Sequence, residues 1–410
     1  MSHNGDNIRA LDPFNDRDES LTREELQNRT GSEVVAGAEL FTAPLIDLIT
    51  FPQEPGSEHR ETLHMLARTA QNAGVGIVGL MPDVDPVADH DGVVRTLRDG
   101  ARSDETSIRF LPHGALSVGL DHVDIAPMGE LREAGVRMIS DGGRPIRAPR
   151  FLRRALEYAL NFDLPVLLQP LDLDLAEGGL APEGPEATRY GLPSIPEAAE
   201  RLAVLRAGEL ARLTGAHVVL FPIVTEAGLD ALELVQRRGA RITGGTALPY
   251  LCWSVNELST FDGIFRVHPP LWREPDVLAL GQAVRSGTLR FLSTGHRAVN
   301  LSEKATELAM AEPGMATLAN LWDLLLYIEK TREIPLLDLI KGFTKGPAEL
   351  LGITPWNSGV TIGPNSGGAG SSTDTAGAQN FPDLGSDRRG LQVVQTTQTN
   401  GGRLISSPIT

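Results

Sequence analysis

The stretch that decides the fold is residues 43–56, APLIDLITFPQEPG. It begins as an apolar, β-branched run interrupted only by Asp47, and its prolines and Gly56 end that run. Continuous rather than alternating apolar residues predict a strand buried on both faces, as in a parallel sheet. Seven further runs of this kind follow: VGIVGLM (75–81), IRFLPHGAL (108–116), VRMIS (136–140), PVLLQP (165–170), HVVLFPIV (217–224), ARITGGT (240–246) and LRFLST (289–294).

Helical patterns lie between these runs. Leu152, Leu156 and Leu160 repeat every four residues and give one apolar face, and residues 195–213 form a longer pattern of the same kind. Eight strands alternating with helices predict an α/β fold, a (β/α)₈ TIM-type barrel with insertions. A doubly wound open sheet is the structural alternative. No G-x-G-x-x-G follows the first strand, so the sequence lends little support to a dinucleotide-binding fold.

Composition narrows the function classes. The chain has 410 residues and a net charge of −16, which argues against general binding to nucleic acid or to an anionic membrane. Its single cysteine, Cys252, excludes an intramolecular disulfide and any multi-cysteine metal site, whereas nine histidines leave a histidine–carboxylate site open. The first residues lack a signal-peptide pattern and no run reaches the ~18 apolar residues of a membrane span, so a cytoplasmic protein is expected.

The chain divides into three zones. Residues 1–37 are polar, with a capping box from Thr22 to Glu25 that predicts one short helix. Residues 38–353 form the predicted barrel. Residues 354–410 are rich in Gly, Ser and Thr, which predicts a largely flexible tail with a possible short strand near Val393.

In a barrel, chemistry is expected at the carboxyl ends of the strands. Those ends carry short motifs in one consistent order: DLITFPQEPG (47–56), MPDVDP (81–86), SDGGRP (140–145), GLPSIPEAA (191–199) and VHPPL (267–271). In this order they resemble the dihydroorotase family of amidohydrolases, from about Pro44 to Gly352. The resemblance implies the metal-dependent hydrolase barrel, with a small β-sandwich domain built from both chain ends. Because both ends here are polar, that second domain is expected to be reduced or missing.

The resemblance also implies a zinc site, but this chain departs from the family at the functional positions. The metal histidines fall on Ile49, Phe51, Gln169 and Pro222, and the catalytic aspartate falls on Gly295. The arginine and asparagine that hold the substrate carboxylate in the family fall on Gln53 and Asp83, and the asparagine and arginine of the family's N-P-P-L-R stretch fall on His268 and Trp272. An aspartate at position 83 is expected to repel an anionic substrate. Without imidazole ligands and a general base, zinc hydrolysis is not expected, and neither is a bound metal or other cofactor.

Two functions follow from these departures. A noncatalytic subgroup of the family assembles with aspartate carbamoyltransferase of pyrimidine biosynthesis, so the first hypothesis is a pseudoenzyme. It would be a structural subunit in a hetero-oligomer with that transferase chain, with no nucleic-acid or membrane partner. The alternative is a zinc-independent or altered-specificity amidohydrolase-fold enzyme, or a small-molecule binder, that uses Asp141, His268 and His296.

Each of these polar residues also has a plain structural interpretation. Asp141 can be a polar residue at a strand end, His296 a surface or loop histidine, and His268 a strand-end cap. Cys252 lies in an apolar stretch and is expected to be a buried, unreactive thiol. The acidic loop formed by Asp83, Asp85, Asp89 and Asp91 can hold a divalent ion or be simply solvated, and Asp172 and Asp174 are expected on a solvated face or turn.

Overall fold

Parallel strands and outer helices form most of the molecule. The computed structural model describes residues 7–30, 39–100, 108–353, 359–364 and 391–397. The strands are β1 (Asn7–Asp12), β2 (Arg17–Thr22), β3 (Leu40–Thr42), β4 (Leu45–Thr50), β5 (Val75–Leu80), β6 (Arg109–Pro112), β7 (Gly114–Ala115), β8 (Ile139–Ser140), β9 (Val166–Leu168), β10 (Ala181–Pro182), β11 (Ser194–Ile195), β12 (Val218–Leu220), β13 (Ile242–Ala247), β14 (Leu289–Ser293), β15 (Gly359–Pro364) and β16 (Leu391–Thr397).

Helices separate most of these strands. They are α1 (Arg23–Thr30), α2 (Leu63–Asn72), α3 (Asp91–Asp99), α4 (Met128–Glu133), α5 (Pro149–Ala159), α6 (Leu173–Ala176), α7 (Pro185–Tyr190), α8 (Ala198–Thr214), α9 (Glu226–Arg237), α10 (Pro249–Cys252), α11 (Glu274–Ser286), α12 (Leu301–Lys304), α13 (Leu321–Arg332), α14 (Leu336–Gly342) and α15 (Lys345–Leu351). None of the helices in the described ranges has the length and hydropathy of a membrane span.

The barrel is a ring of parallel strands in chain order. One part of the ring is β4-β5-β6 and the other is β7-β8-β9-β12-β13-β14, with His113 alone separating β6 from β7. The ring closes where Phe51 bridges to Arg297 in parallel and the Phe51 N–H donates to the His296 carbonyl at 2.8 Å. All eight predicted runs therefore contain barrel strands, and the (β/α)₈ prediction is confirmed over the open-sheet alternative.

Burial explains the continuous apolar runs. Every residue of β4 is buried, including Asp47, because the barrel interior covers one face and the helices cover the other. Gly79 in β5 shows how closely the layers approach. A Cβ added there would lie 1.9 Å from the Leu48 carbonyl oxygen and 2.9 Å from His113 Nε2. Only glycine fits at that position.

A second sheet joins the two ends of the chain. Its order is β16-β15-β3-β1-β2, with β15 antiparallel to β3 and β1 parallel to it. Arg9 on β1 ties this sheet to α13 through an ion pair with Glu329 at 2.9 Å. A small sheet built from both chain ends is thus present, in agreement with a reduced rather than a missing second domain. Strand β16 confirms the strand expected near Val393.

The N-terminal segment contains more structure than its composition predicts. The capping box is confirmed, since the Thr22 N–H donates to Glu25 at 2.8 Å and the Glu25 N–H donates back to the Thr22 hydroxyl at 3.3 Å. Strands β1 and β2 pair as an antiparallel hairpin with one face exposed to solvent. They were not predicted because polar residues on that face interrupt the apolar pattern by which a strand is recognised. In the tail, two strands are described, and the remaining residues of the predicted flexible segment lie outside the described ranges.

Candidate functional site at the carboxyl ends of the barrel strands

Apolar side chains occupy the positions at which the family resemblance implies imidazoles. Ile49 is buried in the barrel wall, where its N–H donates to the Ser293 hydroxyl at 3.0 Å. The half-buried ring of Phe51 lies beneath the Arg297 guanidinium, 5.3 Å from the ring centroid, and Pro222 is buried as well. Alkyl, phenyl and pyrrolidine side chains offer zinc no donor atom, and the Gln169 amide is not among its usual ligands.

The wider set of donors does not fit zinc either. Within the part of the chain that the structure describes, no three His, Cys, Asp or Glu side chains are grouped so as to hold a metal ion. The same holds for the described acidic loop of Asp83, Asp85, Asp89 and Asp91, for which a divalent ion was one possibility. One of its members, Asp89, instead accepts the Gly119 N–H at 2.8 Å. The donor chemistry therefore does not support the metal that the resemblance implies, and no reaction step is assigned to it.

The general-base position is unsuited to a carboxylate in its present backbone conformation. Gly295 has φ +62°, a left-handed conformation that side chains other than glycine adopt at a cost. A Cβ at this position would lie 3.0 Å from the Ala247 Cβ, closer than ordinary van der Waals contact. The glycine thus removes the carboxylate and also fixes a backbone conformation that disfavours its return.

We expect Gly295→Ala to lower the free energy of unfolding by about 1–3 kcal/mol, from the left-handed backbone and the contact with Ala247. Gly178→Ala is the matched control, because Gly178 has φ +69° with no heavy atom within 4 Å of its Cβ position. Denaturant unfolding of both variants separates the two contributions. Equal losses would show that the Ala247 contact carries no cost.

Asp141, a candidate for a residual polar site, is a buried structural carboxylate. One of its oxygens accepts the Gln169 N–H at 2.8 Å and the other accepts the Gly143 N–H at 2.9 Å. Burial raises the pKa of Asp141 to about 7, and backbone hydrogen bonds from Gln169, Gly143 and Asp141 itself oppose that rise. Its oxygens fix the turn after β8 and its link to β9, so the interpretation as a merely polar loop residue understates its role.

This raised pKa makes stability depend on pH. A carboxyl whose folded pKa lies above its unfolded value contributes most below about pH 4, and that contribution is lost as the pH rises towards 7. We therefore expect wild type to lose on the order of 3 kcal/mol relative to Asp141→Asn between pH 4 and 8. Guanidinium unfolding at several pH values measures the difference. The exposed variant Asp174→Asn should run parallel to wild type, and a parallel Asp141→Asn curve would contradict the assignment.

His296 lies in the loop after β14, which agrees with the expectation of a loop histidine, but it is buried rather than on the surface. Its Nε2 lies 3.0 Å from a Glu61 carboxylate oxygen, and its Nδ1 accepts the Leu318 N–H at 3.3 Å. Burial disfavours protonation, but the adjacent Glu61 carboxylate outweighs it and raises the pKa of His296. With both ring nitrogens engaged and the side chain almost fully enclosed, His296 has no face open to a substrate.

The family positions for the substrate carboxylate hold neutralised or internally bonded groups. Asp83 pairs with Arg144 at 2.5 Å, so the expected repulsion of an anion by Asp83 is offset by a cation beside it. The buried Gln53 amide donates to the Phe51 carbonyl at 2.8 Å, and its oxygen lies 3.4 Å from Arg60 Nη1. Neither side chain projects an unopposed charge into the barrel mouth.

A group of cations that the sequence did not predict lies in the loops at the barrel mouth. Arg266 follows β13, Arg297 follows β14, and Lys304 ends α12. Lys304 is buried and donates to the Arg266 carbonyl at 2.8 Å. The residue His268 is exposed, but desolvation of its imidazole, with Arg266 and Arg297 adding to it, lowers its pKa to about 4. The sequence feature that could have revealed this group is the presence of an arginine in each of the loops that follow β13 and β14.

The three residues of the alternative hypothesis do not form one constellation. Among the described residues, Asp141 bonds to backbone on β9 and the adjoining turn, while His296 bonds to Glu61 and Leu318. In the same part of the chain, His268 forms a hydrogen bond with neither of them. No pair of these groups is therefore arranged as acid and base.

The fold and these strand-end motifs can now be compared with known proteins. A family model described as "Dihydro-orotase-like" matches residues 38–227. The dihydroorotase of Syntrophobacter fumaroxidans is 35% identical over 321 residues, covering 78% of this chain and 73% of the relative. The dihydroorotase of Desulforapulum autotrophicum is 34% identical, covering 77% and 74%. The chain belongs to the dihydroorotase family.

Solved structures support the same architecture. The L-hydantoinase of Arthrobacter aurescens superposes with a TM-score of 0.70 at 14% identity, covering 87% of this chain and 86% of that one. At that identity the likeness concerns the fold alone. The barrel predicted from the strand pattern therefore agrees with the fold of this neighbour.

The other polar candidates have structural roles. Cys252 is buried and its pKa is raised by burial, as expected for an unreactive thiol. Asp172 caps α6 by accepting the Asp174 N–H at 3.2 Å, while Asp174 forms an exposed ion pair with Arg147 at 2.8 Å. Both aspartates thus lie at a helix start, in agreement with the predicted turn.

Proposed function

We propose that this chain is a catalytically inactive dihydroorotase homologue that acts as an assembly subunit for the catalytic chain of aspartate carbamoyltransferase. One observation carries the first half of the proposal. Isoleucine, phenylalanine, proline and glycine stand where the reaction needs metal ligands and a general base (Ile49, Phe51, Pro222 and Gly295). Metal-dependent hydrolysis requires a metal that lowers the pKa of bound water and a base that transfers the proton.

The positions of the remaining polar side chains also support an inactive protein. Asp141 and His296 are buried and their hydrogen-bonding atoms are engaged within the protein. A substrate would have to displace those partners before either group could act. The alternative of a zinc-independent enzyme therefore has a weaker structural basis than the pseudoenzyme.

The choice of partner rests on the resemblance to the noncatalytic subgroup. The outer helices offer surface for such a contact, since α8 packs on α9 and α9 on α11. Leu202 and Leu213 on α8 and Leu278 on α11 are each half or more exposed. Exposed leucines are compatible with a partner-facing surface, and a stable complex needs about 1,200–2,000 Å² of buried area.

Co-expression tests the partner. We expect the full-length chain and the aspartate carbamoyltransferase catalytic chain of the same organism to co-elute from a sizing column at a fixed ratio. Leu202→Glu with Leu278→Glu should weaken the complex, while Met310→Glu, a more exposed apolar position near the barrel mouth, should not. A chain that elutes alone at micromolar concentration with its transferase present would overturn the assembly role.

Metal analysis and assay test the inactivity. Purified protein should contain well under one zinc per chain and should not cyclise carbamoyl aspartate above a heat-treated control. Stoichiometric zinc, or turnover that survives repeated chelation and purification, would overturn the pseudoenzyme. Turnover without zinc would instead favour the altered-specificity enzyme.

A further inference from the structure

The cations at the barrel mouth are held together by one segment of backbone. The Gly314 N–H donates to the Arg266 carbonyl at 3.0 Å, and a Cβ at Gly314 would lie 3.1 Å from Arg297 Cγ. Lys304 donates to the same Arg266 carbonyl at 2.8 Å. Three residues that are far apart in sequence are therefore fixed around a single point.

Carboxylates do not balance this cluster closely. Arg60 has a close partner in Glu303 at 2.5 Å. Arg297 is 3.9 Å from Glu312, a carboxylate that also lies 3.7 Å from Arg60. Arg266 forms no ion pair with any residue in the described ranges. The Glu312 carboxylate also acts electrostatically on Arg266, so one carboxylate is shared among three guanidinium groups and leaves charge for an anion from outside.

The guanidinium groups of Arg266 and Arg297 also contain hydrogen-bond donors without acceptors. In the described part of the chain, Nε and Nη1 of Arg266 and Nε of Arg297 have no acceptor, although these atoms are buried. A charged donor buried without an acceptor costs free energy, which an oxyanion on the same guanidinium group offsets by neutralising its charge. Both arginines act electrostatically on His268, an exposed residue that gives the site an edge open to solvent.

The titration of two neighbours agrees with a positive local potential. Burial and the nearby Arg266 lower the pKa of Lys304 to about 7, with Arg297 adding to that effect against Glu312 and Asp262. The same two arginines contribute to the lowered pKa of His268. Both groups respond as expected near unneutralised guanidinium groups.

We propose that Arg266 and Arg297 bind a small oxyanion, a carboxylate or phosphate group, at the rim of the barrel marked by His268. These positions differ from Gln53 and Asp83, to which the family resemblance assigns the substrate carboxylate. The site does not depend on catalysis or on a transferase partner, so it goes beyond the proposed function. A barrel without a metal site can in this way keep a ligand site.

Calorimetric titration of the full-length protein with inorganic phosphate and with malonate tests the site, with chloride holding ionic strength constant. We expect saturable binding of at least one probe, and a loss of affinity of about tenfold or more in Arg297→Gln and in Arg266→Gln. Arg154→Gln is the matched control, because it removes an exposed guanidinium on α5 and changes net charge equally. Phosphate-only or malonate-only binding identifies the group that is recognised.

A rim variant keeps the test decisive if an arginine variant fails to fold. His268→Glu changes an exposed side chain and places a carboxylate beside both guanidinium groups, so it should abolish binding while leaving the circular dichroism spectrum unchanged. Binding of neither probe by wild type overturns the proposal. Equal weakening by Arg154→Gln, or unaltered binding in a folded His268→Glu protein, overturns it as well.

Discussion

Asp47→Ala is expected to lower the free energy of unfolding by about 3–5 kcal/mol, because this buried carboxylate joins the first barrel strand to the last. It accepts the Thr294 N–H at 3.0 Å and the hydroxyls of Ser293 and Thr294. Desolvation raises the pKa of Asp47, and these three hydrogen bonds oppose that rise. Alanine would leave the Thr294 N–H without an acceptor at the seam of the ring and create a cavity.

Guanidinium unfolding followed by tryptophan fluorescence measures this loss. Asp47→Asn should lose less than half as much, because its amide oxygen can still accept the Thr294 N–H. Ser293→Ala in both backgrounds completes a double-mutant cycle that isolates the coupling across the seam. A loss below 1 kcal/mol for Asp47→Ala would show that the strands close without this carboxylate.

Glu200→Ala is expected to have an effect of similar size, about 3–5 kcal/mol, in the loop that follows β12. The buried Glu200 carboxyl on α8 accepts the N–H groups of Val224 and Thr225, each at 2.8 Å, and the Thr225 hydroxyl. Thr225 in turn caps α9 by accepting the Gly228 N–H at 2.8 Å. Alanine would leave two buried backbone donors unpaired at the start of α9.

The matched control is Glu209→Ala, which removes an exposed glutamate from the same helix and should cost less than about 1 kcal/mol. Burial raises the pKa of Glu200 to about 8, so the group is largely protonated at neutral pH and Glu200→Gln should be milder than alanine. If alanine and glutamine variants unfold at the same denaturant concentration, the hydrogen bonds to the loop contribute little.

Local sequence pattern predicted the barrel well, for a physical reason. Each barrel strand is buried on both faces, so its residues form a continuous apolar run that can be recognised without its neighbours. The N-terminal hairpin was missed because β2 keeps polar residues on its solvent face and pairs with β1, which only the tertiary structure reveals. Its capping box was predictable because both members lie within one turn of helix.

Some features of the candidate site could likewise be predicted from the sequence, and others required the tertiary structure. The identities of Ile49, Phe51, Pro222 and Gly295 are properties of the sequence, and chemistry alone excludes imidazole ligands and a general base there. Whether a charge is opposed or a histidine is enclosed depends on residues that are distant along the chain. Asp83 is neutralised by Arg144, and His296 meets Glu61.

By itself, then, the sequence determined a (β/α)₈ barrel whose strand ends lack the family's ligands. Only the tertiary structure decided what replaced them. It buried Asp141 and His296 among hydrogen-bond partners, and it brought Arg266 and Arg297 together around Gly314. Strand patterns are local, because burial acts on each side chain separately. The electrostatic potential at a side chain is not local, because it is the sum of contributions from charges that the fold brings together from several loops.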